Sequence, residues 1–173
     1  MEKIQAIISG GKISSNSTSA TDLFASQRFG EKIGEKIQYT LPETLFLIEN
    51  KKLELLDSKN KKLPEKKVNQ LFEKIDKKFN IKYSVFKDLR EKGYIVKTAL
   101  KFGAEFRVYT PGSEIGETHA KWILFPVSEN QAMTWHDFSA KNRVAHSVNK
   151  NLLIAVVDEE GDVSYYEVAW KRV

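Results

Sequence analysis

Apolar and polar positions change their period several times along this chain, and each change predicts an element. Ile4 to Ile13 alternates around Gly10-Gly11, predicting a strand, a tight turn and the start of a second strand. The polar run Ser14 to Thr21 reads as a loop, and Thr21-Asp22 as the cap of a short helix carrying Leu23, Phe24 and Phe29. Gly30 and Gly34 then interrupt regular structure. Tyr39-Thr40-Leu41-Pro42-Glu43 has the form of a helix entrance, with the cap at Thr40 or Leu41, proline in the first turn and an acid close behind. Leu45, Phe46, Leu47 and Ile48 supply its apolar face, and Leu53 to Leu56 reads as a short edge strand. From Pro64 to Lys78 the apolar positions Val68, Leu71, Phe72, Ile75 and Phe79 recur at three- and four-residue steps, predicting an amphipathic helix. Its other face is rich in lysine, which ordinarily means a solvated face and less often an RNA-binding one. A further helix over Tyr83 to Lys92 stops at Gly93.

Beyond residue 93 the period of two takes over. Tyr94 to Thr98, Glu105 to Tyr109, Ala120 to Val127, Leu152 to Val157 and Ser164 to Ala169 read as strands, and Arg143 to Asn151 as a helix between them. Asp158 to Asp162 is a hairpin turn, and the unbroken apolar run Leu152 to Val157 predicts a strand covered on both faces. The pattern predicts an α/β (α+β) chain. A small N-terminal mixed α/β domain spans 1–80, and a C-terminal mixed β-sheet flanked by helices spans 81–173.

Composition narrows the class. The 173 residues are 41% hydrophobic and 29% charged, which suits an ordinary globular chain. With no cysteine, disulfides, thiolate metal sites and cysteine nucleophiles are excluded. No apolar run approaches the ~18 residues of a membrane-crossing helix, and Met1-Glu2-Lys3-Ile4 lacks the core of a signal peptide, so a cytoplasmic protein is expected. The formal charge of +5, with a pI near 9.2, tilts the choice of partner toward an anion such as nucleic acid.

The residues with chemistry to offer are Tyr109, His119 and Lys150, each near a predicted strand end or helix start. A phenol, an imidazole and an ammonium brought together can run proton transfer at phosphorus without a metal. His136 falls in a polar loop, and His146 in the helix before Lys150, where support is its expected role. Three histidines so dispersed, without acids at ligand spacing, make a poor zinc site, and no glycine-rich phosphate loop is present.

These residues lie inside extended motifs. They are the run from Tyr83 to Lys97, Phe102-Gly103-Ala104-Glu105-Phe106-Arg107-Val108-Tyr109, His119-Ala120, and Arg143-Val144-Ala145-His146-Ser147-Val148-Asn149-Lys150. Fainter matches occur at Phe29-Gly30 and from Leu41 to Leu47. In this order they resemble the catalytic subunit of the archaeal tRNA-splicing (tRNA-intron) endonucleases, over about the last 90 residues. The resemblance implies Tyr109, His119 and Lys150 as the active site, and cleavage of precursor tRNA at a bulge–helix–bulge to give 2′,3′-cyclic phosphate and 5′-hydroxyl ends. The attacking group would be the RNA's own 2′-OH, so no metal or cofactor is expected. His119 is assigned as general acid, Tyr109 as the group that orients or deprotonates the 2′-OH, and Lys150 as the cation that meets the phosphorane charge. The first two labels are interchangeable at this stage.

The resemblance also implies RNA contacts from Arg143 and Trp170, which would sandwich a bulged base in trans, with Arg107, Lys121, Lys171 and Arg172 near phosphates. It implies four subunits, either a homotetramer or a heterotetramer with a second endonuclease subunit, and no membrane. The last strand would meet its twin across a dimer axis, and the loop Ser128 to Phe138, with Glu129 and Asp137, would dock on a neighbouring dimer. Met133 and Trp135 depart from a plainly acidic loop. Two alternatives stand beside this expectation: a non-catalytic RNA-binding or assembly subunit, which would be expected to lack part of the trio, and a metal-dependent nuclease, for which Glu105 finds no acidic partner nearby.

Overall fold

Alternating burial fixes the first sheet. In the computed structural model, which describes residues 2–114 and 116–173, β1 (Ile4–Ser9) buries Ile4 and Ala6 while Gln5 and Ile7 stay exposed. β2 (Lys12–Ser15) follows across the Gly10-Gly11 turn, then come helix α1 (Thr18–Gln27), β3 (Glu31–Ile33), β4 (Lys36–Tyr39), helix α2 (Leu41–Glu49) and β5 (Leu53–Leu56). The strands run β3-β4-β2-β1-β5, with only β1 and β5 parallel. Helix α3 (Glu65–Ile75) packs on α2, and its buried Val68 and Phe72 follow the predicted stripe. Together with residues up to Asn80 these elements make the first of two compact units; the second is Ile81–Val173.

Two local readings are corrected here. Helix α1 begins at Thr18, because the Ser17 hydroxyl accepts from the Ala20 N–H at 3.2 Å and so outcompetes Thr21 as cap. Residues 31–39, read as broken by glycine, form a hairpin whose strands of three and four residues are too short to show alternation. Gly30 is required there: its φ is +79°, and a Cβ would meet Ile37 Cγ2 at 2.4 Å. The α2 entrance is built as expected, with Thr40 and Glu43 closing a capping box. Buried Glu43 also accepts from the Gly30 N–H at 2.8 Å, which ties the hairpin to the helix.

In the second unit, the rest of helix α4 (Phe79–Glu91) leads into β6 (Ile95–Thr98), a 3-10 turn (Leu100–Phe102), β7 (Phe106–Tyr109) and β8 (Trp122–Ser128). Helix α5 (Trp135–Ser147), β9 (Asn151–Val157) and β10 (Val163–Val168) complete it. The sheet order is β10-β9-β8-β7-β6, antiparallel except for the β8–β9 pair. One face packs Ile123, Leu152 and Ile154 against Ala145, Val144 and Phe138 of α5. The other meets α4, where the Phe86 and Phe106 rings lie 6.1 Å apart and Tyr165 donates to Asp88 at 2.6 Å. Covered on both faces, β9 is the apolar run that the sequence predicts.

Two helices start earlier than expected. Helix α4 starts at Phe79, four residues ahead of Tyr83. Helix α5 starts at Trp135, so His136 lies in a helix and not in a loop, and the helix ends before Lys150. Thr134 and Asp137 form the capping box that starts α5, a signal the mainly polar stretch 128–142 otherwise hides. Among the described residues, no helix is long and apolar enough to cross a membrane.

Candidate active site

Strand register gathers the predicted residues at one end of the second sheet. Val108 pairs with Trp122, and Trp122 with Asn151, so these three form a row across β7, β8 and β9. One step beyond that row come Tyr109, Lys121 and Lys150, held by Lys121 N–H to Val108 C=O at 2.9 Å and Asn151 N–H to Lys121 C=O at 3.3 Å. Tyr109 also faces Ile95 across the β6 pairing. His119 lies two residues ahead of Lys121 on the same end.

Each of the three reaches the edge by a different local device. Tyr109 is the last residue of β7 and only 5% exposed, so its ring is fixed by packing. His119 sits on the exposed segment leading into β8, and its imidazole makes no side-chain hydrogen bond among the described residues. Lys150 is delivered by the end of α5. Asn149 has a φ of +55°, its N–H bonds the His146 carbonyl at 3.0 Å, and the Lys150 N–H bonds the Ala145 carbonyl at 3.0 Å. These two bonds with a left-handed residue make a Schellman motif, and asparagine is the commonest non-glycine choice for it. The Lys150 ammonium donates to the Val148 carbonyl at 3.2 Å and has no carboxylate partner among the described residues.

The surroundings are cationic and aromatic. Arg143 and His146 are exposed, three residues apart on α5, and the His146 ring lies 4.5 Å from that of Trp170. Trp170 is 53% exposed, two residues past β10. The Lys121 ammonium lies 4.4 Å over the Trp122 ring. Arg107, two residues before Tyr109, has a buried Nε with no hydrogen-bond partner among the described residues. Lys171 and Arg172 are exposed in the tail. Asn151 donates to Glu167 at 2.6 Å, and that bond holds the Glu167 carboxyl below its usual range, with Trp122 and the Lys121 charge adding to it.

Sequence reasoning gave His146 a supporting role and overlooked Asn149 and the Asn151–Glu167 pair. An asparagine immediately past a helix and immediately before Lys150 was the available signal for the turn. Glu129 accepts from the Glu159 N–H at 2.9 Å, and Asp137 accepts from Thr134 Oγ1 at 2.6 Å. Both acids of the expected docking loop thus have partners within the chain, although both remain exposed. Among the described residues, no three His, Asp or Glu side chains cluster as a metal would need.

This geometry occurs in a chain with many relatives. Residues 79–165 match the catalytic C-terminal domain of the tRNA intron endonucleases, and residues 4–68 match the N-terminal domain of the same enzymes. A tRNA-splicing endonuclease of Thermococcus onnurineus is 42% identical over 99% of this chain and 98% of its own length. One of Pyrococcus horikoshii is 40% identical over 96% of each chain, and one of Methanothermobacter thermautotrophicus 40% over 88% of each. Both domains are matched in order, and the relatives align over nearly their whole length; this chain is an enzyme of the tRNA intron endonuclease family.

Proposed function

We propose that this enzyme excises introns from precursor tRNA by cutting at bulge–helix–bulge junctions, with the RNA's own 2′-OH as nucleophile. The 2′ oxygen bonds to phosphorus, the bond from phosphorus to the 5′ oxygen breaks, and a 2′,3′-cyclic phosphate and a 5′-hydroxyl result. One proton leaves the 2′-OH and one reaches the departing oxygen, so no water or redox partner enters the balance. His119 donates the proton to the leaving oxygen, a task for which imidazole is suited because it exchanges protons near neutral pH. Tyr109 orients and deprotonates the 2′-OH, and Lys150 meets the charge that grows on the phosphorane.

The supporting observation is the register that carries Tyr109, Lys150 and the His119 segment to one sheet end. Exposure fits these roles: a proton donor to a large RNA has to be reachable, while the group that orients the nucleophile gains from being fixed. Arg143 and Trp170 stack the bulged base from an opposing subunit, and Arg107 and Lys121 neutralise phosphates nearby. The working form is a homotetramer, in which the loop bearing Glu129 and Asp137 meets a neighbouring dimer. Each carboxylate keeps one oxygen without a partner among the described residues, available to that neighbour.

The test is cleavage of an end-labelled bulge–helix–bulge RNA by the purified chain in EDTA. Cutting at both junctions, with cyclic-phosphate ends, is expected. His119→Ala should lose on the order of 10²–10⁴ in rate while still binding RNA. Cutting that needs an added divalent metal, or that survives in His119→Ala, overturns the mechanism. Cutting only after addition of a second endonuclease subunit would replace the homotetramer by a heterotetramer, and cutting that then survives His119→Ala would mark this chain as the non-catalytic partner.

A further inference from the structure

The formal charge of +5 is not spread over the molecule. Residues 51–78 hold ten lysines against five acids, a net of +5, so all other residues sum to zero. The unit Ile81–Val173, which contains Tyr109, His119 and Lys150, has thirteen basic and twelve acidic residues, a net of +1. A nearly neutral catalytic unit is a weak grip for a polyanion, because phosphate neutralisation supplies most sequence-independent affinity for nucleic acid.

The charge has a definite location. Helix α3 turns Val68 and Phe72 inward and leaves Lys66, Lys67, Gln70, Glu73 and Lys74 exposed. Four-residue steps from Lys66 through Gln70 to Lys74 set these side chains on one outward stripe of the helix, and Lys77 follows two residues past its end at Ile75. At 1.5 Å per residue, Lys66 and Lys74 stand ~12 Å apart along the axis. Gln70, Glu73, Lys74 and Lys77 line an open hollow of about 490 Å³. The one acid in it, Glu73, accepts from Asn80 at 3.1 Å. Some lysines elsewhere are paired: Lys62 reaches Glu54 at 2.6 Å and Lys92 reaches Asp88 at 2.8 Å. Lys66, Lys67, Lys74, Lys77 and Lys78 make no ion pair among the described residues.

The chemistry of the stripe also says what it reads. Residues 51–78 contain no arginine, and their one aromatic, Phe72, is fully buried. Without a guanidinium fork or an exposed ring, the surface has nothing to stack on a base, whereas compact ammonium groups on flexible stems suit phosphates. We infer that Lys66 and Lys74 of α3, with Lys77 just past its end, grip the phosphate backbone of the substrate RNA outside the cut junctions, supplying affinity that is independent of sequence. This assignment rests on the reading of the substrate as precursor tRNA, and it gives the N-terminal unit a part in binding that substrate.

The test compares the full chain with the triple variants K66Q/K74Q/K77Q and K66R/K74R/K77R. Each is assayed on a whole precursor tRNA and on a short RNA carrying only the bulge–helix–bulge, between 50 and 200 mM salt (about the range over which phosphate binding weakens steeply). On the whole precursor, the glutamine variant should raise KM about tenfold or more at the higher salt, with kcat unchanged. Its binding slope against log salt should fall by about 0.9 for each duplex phosphate that the lysines no longer neutralise. The arginine variant should behave as the parent, and KM for the short RNA should barely move. An unchanged slope and KM in the glutamine variant, with a parent that cuts both RNAs, overturns the inference and leaves the proposed function standing. A parent that cuts neither RNA instead defeats the proposed function. A glutamine variant with intact RNA affinity but altered sedimentation would assign the stripe to an acidic protein surface, which also overturns the inference.

Discussion

Asn149 shows how a single backbone angle positions a functional group. Its φ of +55° ends α5 and turns the chain so that the next residue, Lys150, enters at the edge of β9. Glycine adopts this region freely, whereas a β-branched residue pays about 1–2 kcal/mol there. Asn149→Gly should therefore leave melting temperature and cleavage close to those of the parent. Asn149→Val should lose about 1–2 kcal/mol of stability and, if Lys150 acts as proposed, at least about tenfold in cleavage rate, since small misplacements of a catalytic group are costly. Denaturant unfolding and single-turnover cleavage check this, and a valine variant of full activity would detach the turn from the site. At this scale, residue types were legible only through motifs. Nothing in hydrophobic periodicity marks Tyr109, His119 or Lys150, and the family pattern carried them. The pairing of His146 with Trp170 depends on where two distant elements end, which no local window contains.

Elements were legible where packing imposes a period and obscured where a cap or a short pairing decides. The α3 stripe and the β9 run were read because Val68, Phe72 and Leu152 to Val157 are buried at the spacing their geometry demands. The start of α5 was missed because Ser139, Lys141 and Asn142 dilute its apolar face, leaving the Thr134–Asp137 box as its only local mark. Between elements, β10 is pinned to α4 by Tyr165 and Asp88. Burial first, and then the Asp88 bond, raise the Tyr165 phenol above its ordinary value of about 10. A group raised on folding contributes stability that is complete below its unfolded pKa and is lost as pH climbs toward the folded one. Melting temperature should thus fall once pH passes about 10. In Tyr165→Phe that alkaline loss should be smaller, with the remainder coming from Tyr39, whose phenol burial also raises. A loss of equal size in parent and variant would remove Tyr165 from the account.

At the scale of the whole molecule, exposed apolar groups offer surfaces for the proposed assembly of four chains. Strand β10 ends its sheet, leaving one line of backbone donors and acceptors unpaired among the described residues, and Tyr166 on it is 59% exposed. Trp135 at the start of α5 is 83% exposed, with Phe138 edge-on at 5.7 Å. A tetramer of the 19.8 kDa chain would cover such groups, so sedimentation should give a particle of four chains. Tyr166→Glu should shift it toward smaller species, and a monomeric parent at micromolar concentration would refute the assembly. The parallel pairing of β8 and β9 also has a consequence in time. Parallel neighbours need a long return path, here α5, before Lys150 can lie beside Lys121. Lys150 leaves the ribosome thirty-one residues after His119, and only later can it be threaded into place. Under the proposed chemistry, a polypeptide interrupted between His119 and Lys150 holds a base and an acid without their cation, and cellular RNA meets no active nuclease until Lys150 has been made and seated.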